Sequence, residues 1–372
     1  MSALEDRLRD AYRAIADTVD PATIPGLAAE TEPRATRSGR MSFVMPLAAA
    51  AAVTVVVTMS VLLAGASPRF HARPAKTRAA AAVSFPAFAL VNLGSSLKVY
   101  NTRSGAVVAL VTPPAGQKFE DVASGGAART FLAATGSSGS ACHARFYRFE
   151  LSATGQPSPL RFLRSVPGSQ PTAVAAIPGG GGYAYSAVHC ATAPNGLIGV
   201  SGRAGNRAWA YDQGDDYTFS LAATADGDRL ALSLYAGSGW ADLLLNTHSS
   251  AGTVDKASRI VPAVPYAQTL AISPDGRTLY ACASSGPTGT LTAYSTATGK
   301  KIRVLHRWTL ASEARFYFCQ VSADATGKAL LASYSSDVAP RTSLISVNPQ
   351  AGTSVKLPVR GDYLHDGIGA AW

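Results

Sequence analysis

Four cysteines and two histidines form the densest set of reactive side chains in this 372-residue chain. Cys142 is followed by His143, and His189 precedes Cys190, whereas Cys282 and Cys319 have no such neighbour. Thiols at such spacings either pair or ligate a metal. As disulfides, four cysteines allow three connectivities. As ligands, Cys142, His143, His189 and Cys190 spell a Cys2His2 set of the kind zinc takes. Adjacent residues of a strand point to opposite faces, so these four converge on zinc only if both segments are irregular. Strand geometry therefore favours disulfides, and no other cofactor is implied.

Constellations for catalysis are thin. No Gly-x-Ser-x-Gly, His-Glu-x-x-His or phosphate-binding loop occurs. Beyond residue 84 glutamate appears only as Glu120, Glu150 and Glu313. A paired-carboxylate glycosidase or a metal-dependent lactonase needs converging acids and histidines, and the sequence assembles no such set.

The elements that hold these residues are announced by repetition. Thr224-Ala-Asp-Gly-Asp-Arg-Leu-Ala231, Ser273-Pro-Asp-Gly-Arg-Thr-Leu-Tyr280 and Ser322-Ala-Asp-Ala-Thr-Gly-Lys-Ala-Leu-Leu331 each read as strand, tight turn, strand. Looser copies begin at Ser124 and Ile177. A second phrase runs from a strand into a polar turn closed by glycine: Val99–Gly105, Phe149–Gly155, Ala293–Gly299 and Val347–Gly352. Glycine supplies the positive φ that such hairpins need. A propeller blade of four antiparallel strands uses one phrase of each kind. Counting predicts blades near 119–163, 171–212, 217–261, 266–307 and 316–357. Residues 87–111 lack a first strand, and 367–372 supply one. Joining them closes a ring of six blades without open edges; seven is the alternative.

Val99-Tyr-Asn-Thr-Arg-Ser-Gly105 and Ser273–Tyr280 resemble the blade motifs of the YVTN/WD40-like propeller families, which include TolB-like propellers. The resemblance covers about residues 85–372 and speaks to fold; propellers host many activities. The Trp-Asp and Gly-His signatures of true WD40 repeats are absent. The whole layout also resembles membrane-anchored propellers of high-GC actinobacteria.

In this blade scheme Cys142 and Cys190 follow the second strands of adjacent blades. Cys282 lies near the end of the second strand of the fifth blade and Cys319 at the start of the first strand of the sixth, ends that open on the same face. Both pairs fall within the Cα separation of about 4.4–6.8 Å that a disulfide needs, so the expected bridges are Cys142–Cys190 and Cys282–Cys319. Aromatic residues recur where first strands begin, at Phe119, Tyr217, Tyr266, Phe316/Tyr317 and Tyr363. They predict either a stacking ring at the channel mouth or inter-blade packing. Asp215, Asp216, Arg315, His365 and Asp366 share those loops and are candidates for polar contacts there.

Ahead of the propeller, residues 1–20 read as a short amphipathic helix, with Leu4, Leu8, Ala11, Ile15 and Val19 on one face. Ser2 and Glu5 form a capping box. Residues 21–42 are a linker. Phe43–Gly65 carries no charge over 23 residues, long enough to cross the hydrocarbon core, and is expected to be a transmembrane helix. A cleaved signal peptide ending at Ala64-Gly65-Ala66 is the rival. Residues 66–84 are an Ala/Arg/Pro linker. Bases flank the span on both sides, so the positive-inside count decides little. The cysteines argue for an oxidising compartment, with the N-terminus in the cytoplasm.

The net charge is +10. It is spread along the chain without basic–aromatic interleaving, which speaks against nucleic acid and suits anionic lipids or wall polymers. The expectation is an all-β chain: a six-bladed propeller behind a short helix and one membrane span. It would bind an envelope protein or wall component, with its N-terminal helix free for a cytoplasmic partner. The alternative is a lactonase-like hydrolase or quinoprotein-like oxidoreductase with its site at the channel mouth.

Overall fold

The computed structural model describes residues 85–372 apart from 138–141, 180, 191–194, 203–204, 213–216, 237–238, 251, 262–266, 310–316, 337–338 and 360–369. The predicted N-terminal helix, both linkers and the predicted span at 43–65 lie outside the described residues. Among those described, no helix is long and apolar enough to cross a membrane.

The strand phrases fold as their turn chemistry dictates. In Thr224–Arg229 the Thr224 hydroxyl donates to Asp226 Oδ1 (2.6 Å) and accepts from the Arg229 N–H (3.1 Å). Ser273 does the same with Asp275 (2.6 Å) and Thr278 (2.9 Å). Asp324 takes the role in the longer copy, accepting from the Ala329 N–H (3.0 Å). Gly227 and Gly276 sit at φ 78° and 68°, the left-handed region where a side chain is strained. The hydroxyls of Thr224 and Ser273 hold the Asp226 and Asp275 carboxyls below the usual range. Each turn is thus closed by its own side chains.

Six four-stranded antiparallel sheets result. The first blade holds β1 (Phe88–Asn92), β2 (Leu97–Asn101) and β3 (Val107–Val111). The second holds β4 (Gln117–Ser124), β5 (Thr130–Ser137), β6 (His143–Glu150) and β7 (Arg161–Pro167). The third holds β8 (Ser169–Ile177), β9 (Gly182–His189), β10 (Asn195–Gly202) and β11 (Gly205–Asp212). The fourth holds β12 (Tyr217–Ala223), β13 (Arg229–Ala236), β14 (Gly239–Asn246) and β15 (Ser258–Ile260), with the single turn of α1 (Val254–Ala257) before β15. The fifth holds β16 (Ala267–Ile272), β17 (Thr278–Ser285), β18 (Thr288–Ser295) and β19 (Lys301–Thr309). The sixth holds β20 (Tyr317–Ala323), β21 (Leu330–Ser336), β22 (Ala339–Asn348) and β23 (Thr353–Lys356). The last strand, β24 (Ala370–Ala371), pairs with β1 at Leu90↔Ala371 and Val91↔Ala370. It completes the first blade from the other end of the chain, so six blades close the ring and seven are excluded.

Every sheet faces a neighbour on both sides, so the strands in mid-sheet are buried on both faces. β1 is buried at all five positions and β5 at all but its last. The core is accordingly six clusters, one at each blade interface. Aromatic rings roof two of the glycines of β10: Gly196 lies opposite Tyr211 and Gly199 opposite Tyr185. A Cβ on Gly199 would fall inside the Tyr185 ring. That ring is 1% exposed, and Phe146 packs against it at 4.8 Å. Gly199→Ala is therefore expected to destabilise by about 1–3 kcal/mol, as overpacking does. Urea denaturation checks this; a midpoint equal to the parent's would show that the ring can move aside.

Outer-strand arginines tie the third, fourth and fifth blades each to the next. The Arg207 guanidinium donates to the Thr247 carbonyl (2.8 Å). Arg259 donates to the Thr296 carbonyl, and Arg303 to the carbonyls of Pro349 and Gln350.

Candidate functional site

The inner strands β4, β8, β12, β16, β20 and β24 wall a central channel with a cavity of about 160 Å³. Small apolar residues make most of the wall, among them Ala123, Ala176, Ala223 and Ala323. Among the described residues the acids on it are Glu120, Asp121 and Asp324, and no base lines it. Lys118 pairs with Glu120 at 3.0 Å.

One wall position recurs. The residue three before the end of an inner strand is Asp121 in β4, Ser220 in β12, Thr269 in β16 and Gln320 in β20. Three of these side chains reach the backbone of the next blade. Asp121 Oδ2 accepts from the Val174 N–H (2.8 Å). Ser220 Oγ accepts from the Leu270 N–H (2.9 Å) and donates to its carbonyl (3.2 Å). Thr269 Oγ1 accepts from the Val321 N–H (2.8 Å) and donates to the Cys319 carbonyl (3.1 Å). A β-bulge precedes the position in β4, β12 and β16 and frees the side chain to turn across the interface. β8 carries the same bulge, and Ala173 stands at the matching register position.

Asp121 is the one carboxylate in this ring. Burial pushes its pKa up to about 7, against the opposing pull of the Val174 and Val122 N–H groups. Its carboxyl therefore takes or releases a proton near neutrality on the channel wall. The folded protein holds this proton to about pH 7, whereas an unfolded aspartate loses it near 4. Between those values the native state binds more protons, so stability falls as pH rises. Asp121→Asn is expected to flatten that slope while losing about 1–3 kcal/mol from one unpaired N–H. Urea midpoints across pH 5–8 test it; an unchanged slope in the variant would assign the titration elsewhere. A second acid, Asp242, is 3% exposed between the fourth and fifth blades, and burial raises it well above the usual range.

The expected mouth residues divide. Phe119 is fully buried in the core between the first and second blades, beside Phe131 and Phe149. It packs the interface and offers no stacking face, because its strand position points between sheets rather than into the lumen. Tyr317 is half-buried and stacks on Tyr334 at 6.1 Å with 8° between planes. Trp308 lies 5.8 Å from Tyr334, and His306 sits edge-on to Trp308 at 4.6 Å. Tyr317 thus belongs to an aromatic file between the fifth and sixth blades. Tyr217 opens β12. Asp215, Asp216, Tyr266, Arg315, Phe316, Tyr363, His365 and Asp366 lie outside the described residues.

Both expected disulfides are formed. Cys142–Cys190 joins the second and third blades with Cα atoms 6.2 Å apart, and Cys282–Cys319 joins the fifth and sixth at 5.3 Å. No cysteine is free. The bridge takes both thiols from the zinc alternative. Of its histidines, His189 Nδ1 pairs with the Ser169 hydroxyl at 3.0 Å, and among the described residues no His/Cys/Asp/Glu group is placed to hold a metal.

The sequence reading missed the ring position. Its signal was present as a polar residue before an apolar–small pair: Asp121-Val-Ala, Ser220-Leu-Ala, Thr269-Leu-Ala and Gln320-Val-Ser.

No family model and no curated protein matches the chain. Solved structures do match. A chain of a nidogen/laminin complex aligns over 76% of this chain and 97% of its own, at 12% identity and a TM-score of 0.51. TolB from Acinetobacter baumannii aligns over 77% of this chain at 14% identity and a TM-score of 0.50; the match spans 65% of TolB. The periplasmic gluconolactonase of Pseudomonas aeruginosa aligns over 72% of this chain and 81% of its own, at 14% identity and a TM-score of 0.45. Likeness at these identities is one of fold: the chain is a six-bladed β-propeller similar in architecture to TolB-like propellers.

Proposed function

We propose that this chain is a single-pass membrane protein whose propeller stands on the outer, oxidising side and binds an envelope protein or a wall component. The observation that carries this is the pair of inter-blade disulfides, which persist in oxidising compartments, in a chain with the uncharged run Phe43–Gly65. The first 20 residues would then face the cytoplasm and serve a partner there. That a fold neighbour comes from a protein–protein complex supports a binding role by analogy alone. One observation favours the second reading, a hydrolase or oxidoreductase: the Asp121 carboxyl titrates near neutrality in the channel, as a general base would.

The test is the intact mass of membrane-extracted protein after thiol alkylation, with and without prior reduction. The proposal expects all four cysteines to be alkylated only after reduction, on a chain that retains residues 1–66. Alkylation without reduction would place the propeller in a reducing compartment and overturn the orientation. In-situ crosslinking that recovers no envelope component would overturn the binding role.

A further inference from the structure

The charge that is diffuse along the chain gathers at the rim of the propeller. On the outer strand β7 stand Arg161 and Arg164, on β19 Lys301, Arg303 and Arg307, and on β23 Lys356. The fifth and sixth blades make the most continuous stretch. His306 Nδ1 of β19 pairs with the Ser354 hydroxyl of β23 at 2.9 Å, and Arg303 clamps the turn before β23. The two outer strands therefore present one surface. Lys300, Lys301, Arg307 and Lys356 are exposed on it. Between them Ile302 and Val355 are 56% and 45% exposed. Neither Thr288–Thr309 nor Ala339–Lys356 contains an Asp or Glu.

We propose that this rim docks on an anionic phospholipid surface. The inference rests on the anchored reading above. Three observations support a lipid partner. First, the patch is of one sign. Edge lysines also deter strand pairing, but that role does not require the absence of carboxylates from both blades' outer halves. Second, exposed branched aliphatics among bases suit an interface where phosphates lie above an acyl boundary. Third, the described chain enters the fold at this place. Phe85 packs on the cluster that holds Leu357 and Val359, immediately after β23. In the anchored reading a membrane span precedes this point of entry and would hold the rim at high local lipid concentration. Each base near an anionic leaflet contributes about 1 kcal/mol, close to a fivefold effect.

The test is amide hydrogen exchange of the full chain in nanodiscs of phosphatidylcholine alone or mixed with phosphatidylglycerol. Exchange in β19 and β23 is expected to slow roughly tenfold or more with phosphatidylglycerol, while β11 is unchanged. High salt should erase the difference, as should Lys301→Glu/Arg307→Glu/Lys356→Glu, with unaltered exchange in β12 and β13 showing that the variant folds. Ile302→Ser/Val355→Ser should retain part of the effect. Equal exchange in the two lipids would overturn the proposal. So would protection by soluble polyglycerol phosphate in phosphatidylcholine discs, which would assign the rim to a wall polymer. A chain that fails to enter discs overturns the anchored reading alone; adding phosphatidylglycerol vesicles to that chain then decides the rim by the same exchange.

Discussion

Deleting Ala370–Trp372 is expected to unfold the propeller rather than trim it. These residues are the inner strand of the first blade, and their only partner in the sheet is β1. Ala371 is fully buried and Trp372 is 4% exposed, in the clusters that join the first blade to its neighbours on both sides. Without them the inner edge of β1 is left unpaired beside the channel, and unpaired buried backbone costs about 1–3 kcal/mol per group. Losing the indole adds about 3–5 kcal/mol. Together these rival the entire stability of a typical domain, roughly 5–15 kcal/mol. Trp372→Ala, which keeps the strand, should lose only the packing share. Denaturant unfolding followed by tryptophan-independent circular dichroism distinguishes the two variants. A truncated chain that unfolds cooperatively within about 1 kcal/mol of the parent would show that the ring does not depend on its closure.

The two disulfides carry the second large effect. They close loops of 48 and 37 residues, and chain-entropy arguments assign each about 4 kcal/mol. Replacing Cys282 and Cys319 with alanine should also loosen the packed interface, because both are buried beside Tyr334, Leu291 and Val321. The bridges differ in access: Cys190 is exposed and Cys142 half-buried. A mild reductant is therefore expected to open Cys142–Cys190 first, since attack needs access to sulfur. Partial reduction, alkylation and peptide mapping give the order. Equal urea midpoints for oxidised and fully reduced protein would remove the bridges as a source of stability, and preferential opening of Cys282–Cys319 would contradict the accessibility argument.

The blade count and the cysteine pairing were legible in the sequence, because the turns that define a blade are closed locally. Thr224 and Ser273 bond groups within five residues of themselves, so the phrase Ser/Thr-x-Asp-Gly carries its own structure wherever it stands. Once such turns set the blade register, cysteines on adjacent blades fall opposite one another. The closing strand was readable for a related reason: a first blade short of one strand and a tail with one to spare have a single arrangement without open edges.

What the sequence left undetermined lies between blades. The channel ring is made by side chains that bond backbone 50 to 53 residues away, and no local pattern encodes which side chain turns across an interface and which turns into a core. Phe119 looked like Tyr317 by position, yet one is sealed between sheets and the other lies in a half-buried aromatic file. The basic rim was invisible for the same reason. Its residues are scattered from Arg161 to Lys356 along the chain and share one rim only because the fourth strand of each blade is placed at the circumference. Turn chemistry is a property of a few consecutive residues and survives in one dimension. Surface and channel chemistry is a property of the ring and exists only once the ring has closed.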